Sequence, residues 1–347
     1  MDSPKPASPA AEVPAADDRG WRSSLARFQQ PSARRAAWQV ANSIVPYGLL
    51  WWAIHWSLGV SWWLTVPLAV LAAGFLVRIF IIFHDCGHGS FLRSSRANAY
   101  IGRIAGLLTL TPYLQWRWEH ATHHGTSGDL DRRGLGDIWT LTVEEYQKAS
   151  RWKRLAYRLA RNPIILFFVA PTYIFVVHQR IPTAAAPRRE RRSVHWMNLA
   201  ILAMVVAMSL ALGVKEYLLI QLAITGIAGA AGLWMFYVQH QFEDTYWARR
   251  PRWNAVEAAL RGSSYYKLPK VLQWFSGNIG FHHVHHLNPG IPNYNLQRCH
   301  EAEPLFKQVR PMTLPSSLRT LSMRLWDEQA QRLVGYRALR RRVSARG

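Results

Sequence analysis

"WWLTVPLAVLAAGFLVRIFIIFHDCGHGSFL", residues 62–92, runs through 22 largely apolar residues and then, without a break, into two histidines four positions apart, His84 and His88. The apolar part is close to the roughly 20 residues a helix needs to cross a bilayer. Ionisable rings placed where such a helix leaves the membrane have a chemical meaning only if other segments bring partners to the same depth.

Working outward, a second apolar run, "WQVANSIVPYGLLWWAIHWSL" at about 38–58, precedes the first by a few residues, so the two predict a helical hairpin. A second pair, about 196–213 and 217–238, is joined by an equally short link. Arg34 and Arg35 before the first pair, the Arg-rich centre and the terminal "ALRRRVSARG" all fall on one side of the membrane under this plan, and the positive-inside rule makes that side the cytosol. The apolar stretch 163–177 is short for a span. If it crossed alone, it would separate histidines that belong together, so it reads as an interfacial or re-entrant helix, and 101–114 reads similarly. The expected fold is an all-α membrane protein of two transmembrane hairpins, four spans in all, under a cytosolic helical cap that carries a histidine-rich two-metal site. Residues 1–30 read as a disordered tail, their first twenty rich in Pro, Ala and acidic residues and unlike a signal peptide; 31–310 form the main domain; 311–347 form a basic tail.

Composition agrees with a membrane protein. Hydrophobic residues make up 50% of the chain, there are 17 Trp, and the net charge is +22. Because the charge flanks apolar spans, it points to membrane lipids and away from nucleic acid. The two cysteines, Cys86 and Cys299, form neither a disulfide framework nor a C-x-x-C metal motif.

Most of the 14 histidines fall in three clusters: His84 and His88; His120, His123 and His124 in "HATHH"; and "HHVHH" at 282–286. At about 100° per residue each cluster shares a helix face, His282, His285 and His286 forming the third set while His283 points elsewhere. Asn278 would share that third face, one turn earlier. Imidazole suits iron, zinc or copper, and i, i+4 pairs on one helix face are a recurrent ligand geometry. Eight rings exceed what one tetrahedral ion requires, so two metal ions are implied. His240, at the end of the last span, is a candidate ninth ligand, whereas His55, His178, His195 and His300 read as structural or solvated. Metal-bound imidazoles usually give their second N–H to a carboxylate or carbonyl. Six acids lie near the clusters: Asp85, Glu119, Asp129, Asp131, Asp137 and Glu243. Asp85, Glu119 and Asp129, with Asn278, are the candidates for that supporting role.

"HDCGH", "HATHH" and "HHVHH", together with "QHQFEDTYW" and "GSSYYKLPKVLQWFSGNIGFHHVHHLNPGIPNYNL", resemble the membrane fatty acid desaturases over about residues 40–310, and within them the bacterial acyl-lipid type of Δ12, or omega-6, specificity. The resemblance implies a dinuclear iron centre. Its ligands would be His84 and His88, then His120, His123 and His124, then His282, His285 and His286, with His240 as the additional ligand that some members place after their last span. Animal acyl-CoA members carry Asn four residues before that additional histidine, where this chain has Phe236. The implied reaction is O2-dependent insertion of a cis double bond into a lipid-linked acyl chain. A di-iron hydroxylase or ketolase and a non-enzymatic membrane metal-binding protein are the competing readings. No "HPGG" haem motif, four-cysteine cluster or Gly-rich dinucleotide loop is present, so the electrons are expected from a separate protein, a ferredoxin with its reductase. The cationic segments Arg188, Arg189, Arg191, Arg192 and Arg340 to Arg342 suit an acidic donor.

Overall fold

The computed structural model describes residues 18–337 and 339. Helix starts here follow their caps. A short helix α1 (Asp18–Ala26) leads to α2 (Ala33–Ser57), capped by Ser32, and then to α3 (Trp62–His88), where the Ser61 hydroxyl accepts from the Trp63 amide at 3.2 Å. The hairpin between α2 and α3 is closed by the Ser57 and Thr65 hydroxyls at 2.8 Å. α4 (Ser95–Leu108) and α5 (Tyr113–Thr126) follow, then strand β1 (Leu141–Thr142), α6 (Val143–Lys148) and α7 (Arg151–Ala160). A π-helical turn over Ile165–Val169 runs into α8 (Ala170–Val176). The second long hairpin is α9 (Arg188–Leu212) and α10 (Val214–His240). Beyond it lie α11 (Ala255–Arg261), β2 (Tyr265–Tyr266), α12 (Lys270–Phe275), α13 (His282–Leu287), α14 (Asn293–Ala302), β3 (Pro311–Met312), α15 (Leu314–Ser317), β4 (Leu325–Asp327) and β5 (Arg332–Val334).

Among the described residues three helices, α3, α9 and α10, are each long and apolar enough to cross a membrane. The fourth expected span, α2, is a 25-residue helix, but Arg34, Arg35, Gln39, Asn42, Ser43 and His55 dilute its apolarity. It packs Tyr47, Trp51 and Ile54 inward, Trp51 stacking on Tyr217 of α10 at 5.8 Å, and leaves Trp52 and Trp56 exposed. The stretch expected to be interfacial or re-entrant is bent by 59° relative to α7, at a break of a few residues. Pro163 explains the break: it restricts Asn162 to non-helical backbone, and the Asn162 side chain restarts the helix by accepting from the Ile164 amide at 2.9 Å.

The main core lies between the hairpins, where Leu76, Ile79, Ile82 and Phe83 of α3 meet Tyr217, Ile220, Ile224 and Ala228 of α10. Two of the expected boundaries shift. The chain is already helical at Asp18, and Leu25 and Phe28 are buried against Leu296, Cys299 and Phe306, so the folded part begins before residue 31; residues 1–17 lie outside the described residues. At the other end the expected tail is folded through residue 334. β4 pairs in parallel with β1 and antiparallel with β5, β3 pairs in parallel with β2, and Leu325, Trp326 and Leu333 are fully buried. The helical architecture is thus stitched by two small sheets. Arg340 to Arg342 lie outside the described residues.

Candidate metal centre

Gly89 terminates α3 directly after His88. Its φ of +73° is a left-handed conformation that glycine adopts without strain, and its N–H returns to the carbonyls of Asp85 and Cys86. His84 and His88 therefore occupy the last turn of α3, on one face. The intervening Gly87 lets Trp116 of α5 approach, since a Cβ there would lie 2.8 Å from the indole. The Tyr113 hydroxyl donates to the Cys86 carbonyl at 2.7 Å and fixes the start of α5 against α3. About two to three turns along α5 come His120, His123 and His124. His240 is the last residue of α10, and α13 presents His282, His285 and His286.

These nine side chains converge. The ligand nitrogens of His84, His88, His120, His124 and His285 lie within 4.8 Å of one another, as do those of His123, His240 and His286. His282 joins the second group: its Nε2 is 2.9 Å from Nε2 of His240, and its ring lies 4.5 Å from that of His286. The groups touch where His124 stacks on His286 at 4.2 Å. Nε2 of His124 faces Nε2 of His120 at 3.2 Å and Nε2 of His285 at 3.0 Å. Nε2 of His88, His123 and His286 is buried with no hydrogen-bond partner. Buried polar atoms are normally satisfied, so nitrogens left unpartnered and gathered within 4.8 Å fit metal ions well. Burial first, then the neighbouring imidazoles, holds His120, His124, His282, His285 and His286 well below the ordinary imidazole range. The rings are neutral at pH 7, the form in which imidazole ligates.

Three of the rings are oriented from behind. Asp85 Oδ1 accepts from His84 Nδ1 at 3.1 Å, Asp137 Oδ1 accepts from His123 Nδ1 at 2.8 Å, and the Gly262 carbonyl accepts from His240 Nδ1 at 3.1 Å. Of the four expected supports only Asp85 touches an imidazole. Glu119 accepts from the Thr183 hydroxyl, and burial pushes its carboxyl up. Asp129 is fully buried between Arg132, at 2.6 Å, and Arg250, at 3.6 Å, and caps a turn through the Asp131 amide. Asn278 does not lie on the helix of the third cluster, because α13 begins only at His282. It sits in a turn with φ +60°, donating to the Asn293 carbonyl. Asp137 was visible as one of six nearby acids but had no helical periodicity to single it out, since it lies in a loop. The Gly262 carbonyl has no sequence signal.

Aromatic rings wall the centre. Trp116 stacks on His120 at 4.4 Å, with Phe80 and Phe83 behind it, and Phe236 lies 5.3 Å from His123 and 5.2 Å from His240. His283 points away, its Nε2 3.0 Å from Nδ1 of His300, while His55 is half-buried and His178 and His195 are exposed.

Residues 61–314 match the family described as Fatty acid desaturase. Over 316 residues, 91% of this chain and 90% of the relative, the sequence is 50% identical to the protein named Fatty acid desaturase in Bacillus subtilis (strain 168). It is 28% identical over 256 residues, 69% of each chain, to the sn-1 oleoyl-lipid 12-desaturase of a Picosynechococcus strain. It is also 28% identical over 269 residues, 69% of this chain and 67% of the relative, to the sn-1 acyl-lipid omega-3 desaturase (ferredoxin) of a Synechocystis strain.

Proposed function

The chain belongs to the fatty acid desaturase family, and from that premise we propose that it inserts a cis double bond into the acyl chain of a membrane lipid, with Δ12, or omega-6, regiochemistry. The observation that carries the reading is the convergence of nine imidazoles from four separate helices into two adjoining groups. His84, His88, His120, His124 and His285 would hold one iron, and His123, His240, His282 and His286 the other. When bound, the two irons would supply the oxidising chemistry: O2, two electrons and two protons, with the two hydrogens that leave adjacent methylenes of the substrate, give two waters.

The protein's share is positioning and exclusion of water. Asp85, Asp137 and the Gly262 carbonyl each fix the ring they touch, so that its other nitrogen points inward. Trp116, Phe80, Phe83 and Phe236 present apolar surface on both sides of the histidines and suit a hydrocarbon chain.

α3 and α10 both reach the site by their C-terminal ends, which supports placing all nine histidines on one membrane face. With α2 counted as a fourth span, Asp18 and Arg337 lie on that same face, and the arginine distribution supports reading it as the cytosolic face of a bacterial inner membrane. α7 supports this placement. Trp152, Leu155 and Leu159 form an exposed apolar stripe flanked by Arg151, Lys153 and Arg158, the pattern of a helix lying flat at a headgroup layer. Electrons come from a separate acidic donor, a ferredoxin, drawn to a cationic face that includes the exposed Arg188, Arg189 and Arg192.

The test is expression in a host that makes no polyunsaturated lipid, followed by mass-spectrometric location of any new double bond. A product short of two hydrogens at the omega-6 position is expected. A product that gains oxygen overturns the desaturation reading.

A further inference from the structure

Asn293 is 1% exposed and is the first residue of α14. It spends both of its donors on one oxygen: its main-chain amide and its side-chain Nδ2 reach Asp85 Oδ2 at 2.6 and 2.8 Å. The other oxygen of the same buried carboxylate accepts from His84 Nδ1 at 3.1 Å. The carboxylate is thus held between an imidazole and the N-terminal end of a ten-residue helix, where free amides and the helix dipole favour negative charge. Asn293 is itself tethered. Its carbonyl accepts from Asn278 Nδ2 at 3.2 Å, and Asn278 Oδ1 accepts from Gln273 Nε2 at 2.8 Å, which places the α12–α13 turn in the same chain of bonds.

We propose that Asn293 is a positioning residue for the histidine centre, fixing the Asp85 carboxylate so that His84 is held in one tautomer with its Nε2 turned toward the other four rings of its group. This rests on the metal role proposed above. Volume alone does not account for the arrangement, because the side chain's donor points at the carboxylate oxygen that His84 leaves free. The order of groups is imidazole donor, carboxylate acceptor, amide donor. Exchanging the last two preserves that order in part. In the double variant Asp85→Asn/Asn293→Asp the residue at 85 can still accept from His84 with one atom and donate to the side chain at 293 with the other, although the main-chain amide of 293 loses its acceptor. Each single substitution instead sets like against like: two amide donors face to face in Asp85→Asn, two carboxylates in Asn293→Asp.

The experiment reads metal, not turnover. Purified full-length protein is stripped, reloaded with Co2+ or Fe2+, and challenged with a chelator, and the ligand-field spectrum of the cobalt form is recorded. Asn293→Asp and Asp85→Asn are each expected to lower affinity at one of the two sites by about 10–100-fold, the range for partners behind a ligand. The double variant is expected to recover part of that loss, binding several-fold better than the worse single variant, because the main-chain amide of residue 293 still lacks its acceptor; such non-additivity marks positions coupled within one network. If Asn293→Asp does not fold, Asn293→Ser, which keeps the main-chain donor and loses Nδ2, is held to the same loss of affinity. Wild-type retention and spectrum in the single variants, or a double variant no better than the worse single one, would overturn the positioning role. Wild-type protein that binds no metal would instead overturn the function proposed above.

Discussion

The two histidine groups are unequal, and the inequality shows what each part of the chain contributes. The first gathers five rings, four of them from α3 and α5, helices that touch through Gly87 and Tyr113, with only His285 arriving from the distant α13. The second draws four rings from three helices, α5, α10 and α13, and its outward nitrogens meet one carboxylate, Asp137, and one neutral carbonyl, that of Gly262. The first group is assembled largely by a local helix pair. The second exists only when three remote segments meet. A site built from remote segments has fewer spare ligands and should fail first.

The sharpest way to break this comparison is to remove one ring from each group. His285→Ala and His123→Ala should both reduce desaturation more than about 100-fold, beyond the usual effect of losing a partner behind a ligand. Metal content should differ. His285→Ala leaves four imidazoles in its group and should retain close to two irons per chain, whereas His123→Ala should lose about one, as measured by elemental analysis of purified protein. Equal metal loss in the two variants would remove the asymmetry.

A smaller effect separates the supports. Asp137→Asn keeps the shape of the group behind His123 and removes its charge. Affinity at the second site should fall about 10–100-fold, with the first site unchanged. Competition against a graded chelator reads the two sites separately, and a uniform loss at both would count against independent groups.

Smaller again is the wall. Phe236 lies against His123 and His240 without offering them a polar atom. Phe236→Ala should leave both metals in place. Turnover should fall about tenfold, equivalent to about 1.4 kcal/mol of barrier, and more O2 should be consumed than double bonds are formed. O2 uptake measured beside product would show this, and tight coupling in the variant would deny the wall its role in excluding water.

Legibility in the sequence follows periodicity. The long apolar runs and the helix-spaced histidines share one physical origin, the 3.6-residue repeat, which groups the eight rings within their three clusters, while His240 is marked by its place at the end of the last long helix. What carries no period was not legible. Asp137 and Gly262 sit in loops and act through a carboxylate and a main-chain carbonyl, and Asn293 acts partly through its amide. Asn278 was misplaced because the helix of the third cluster was extended one turn too far, into a segment that Gly277 and Asn278 turn through positive φ. The polar residues Gln39 and Ser43 of α2 are buried against its neighbours and lower its apolarity, which sets it apart from the three more apolar long helices. The C-terminal strands went unseen because they are two or three residues long, too short for an alternating pattern to register.

The finest test uses a ring from the third cluster that belongs to neither group. His283 is fully buried, faces His300, and is pushed down to about 3 by burial first and then by His300. Its ordinary value in the unfolded chain is 6.5. Between these two values the unfolded state binds the extra proton, so stability is full near pH 7 and is lost as pH falls. From pH 7 to pH 5 this one ring should remove on the order of 2 kcal/mol. His283→Gln deletes the titration while leaving all nine converging rings in place. Desaturation at pH 7 should stay within about twofold of wild type, since nothing at the centre touches His283. Unfolding of the metal-free protein, compared at pH 7 and pH 5, should show a shallower pH dependence in the variant. The metal must be absent, because protons compete with it for the other rings and would add a pH dependence of their own. Parallel pH profiles in the two proteins would mean that His283 does not remain neutral in the fold. A collapse of activity at pH 7 would mean that the third cluster works as a unit, and the division between rings that face the centre and the one that faces away would fail.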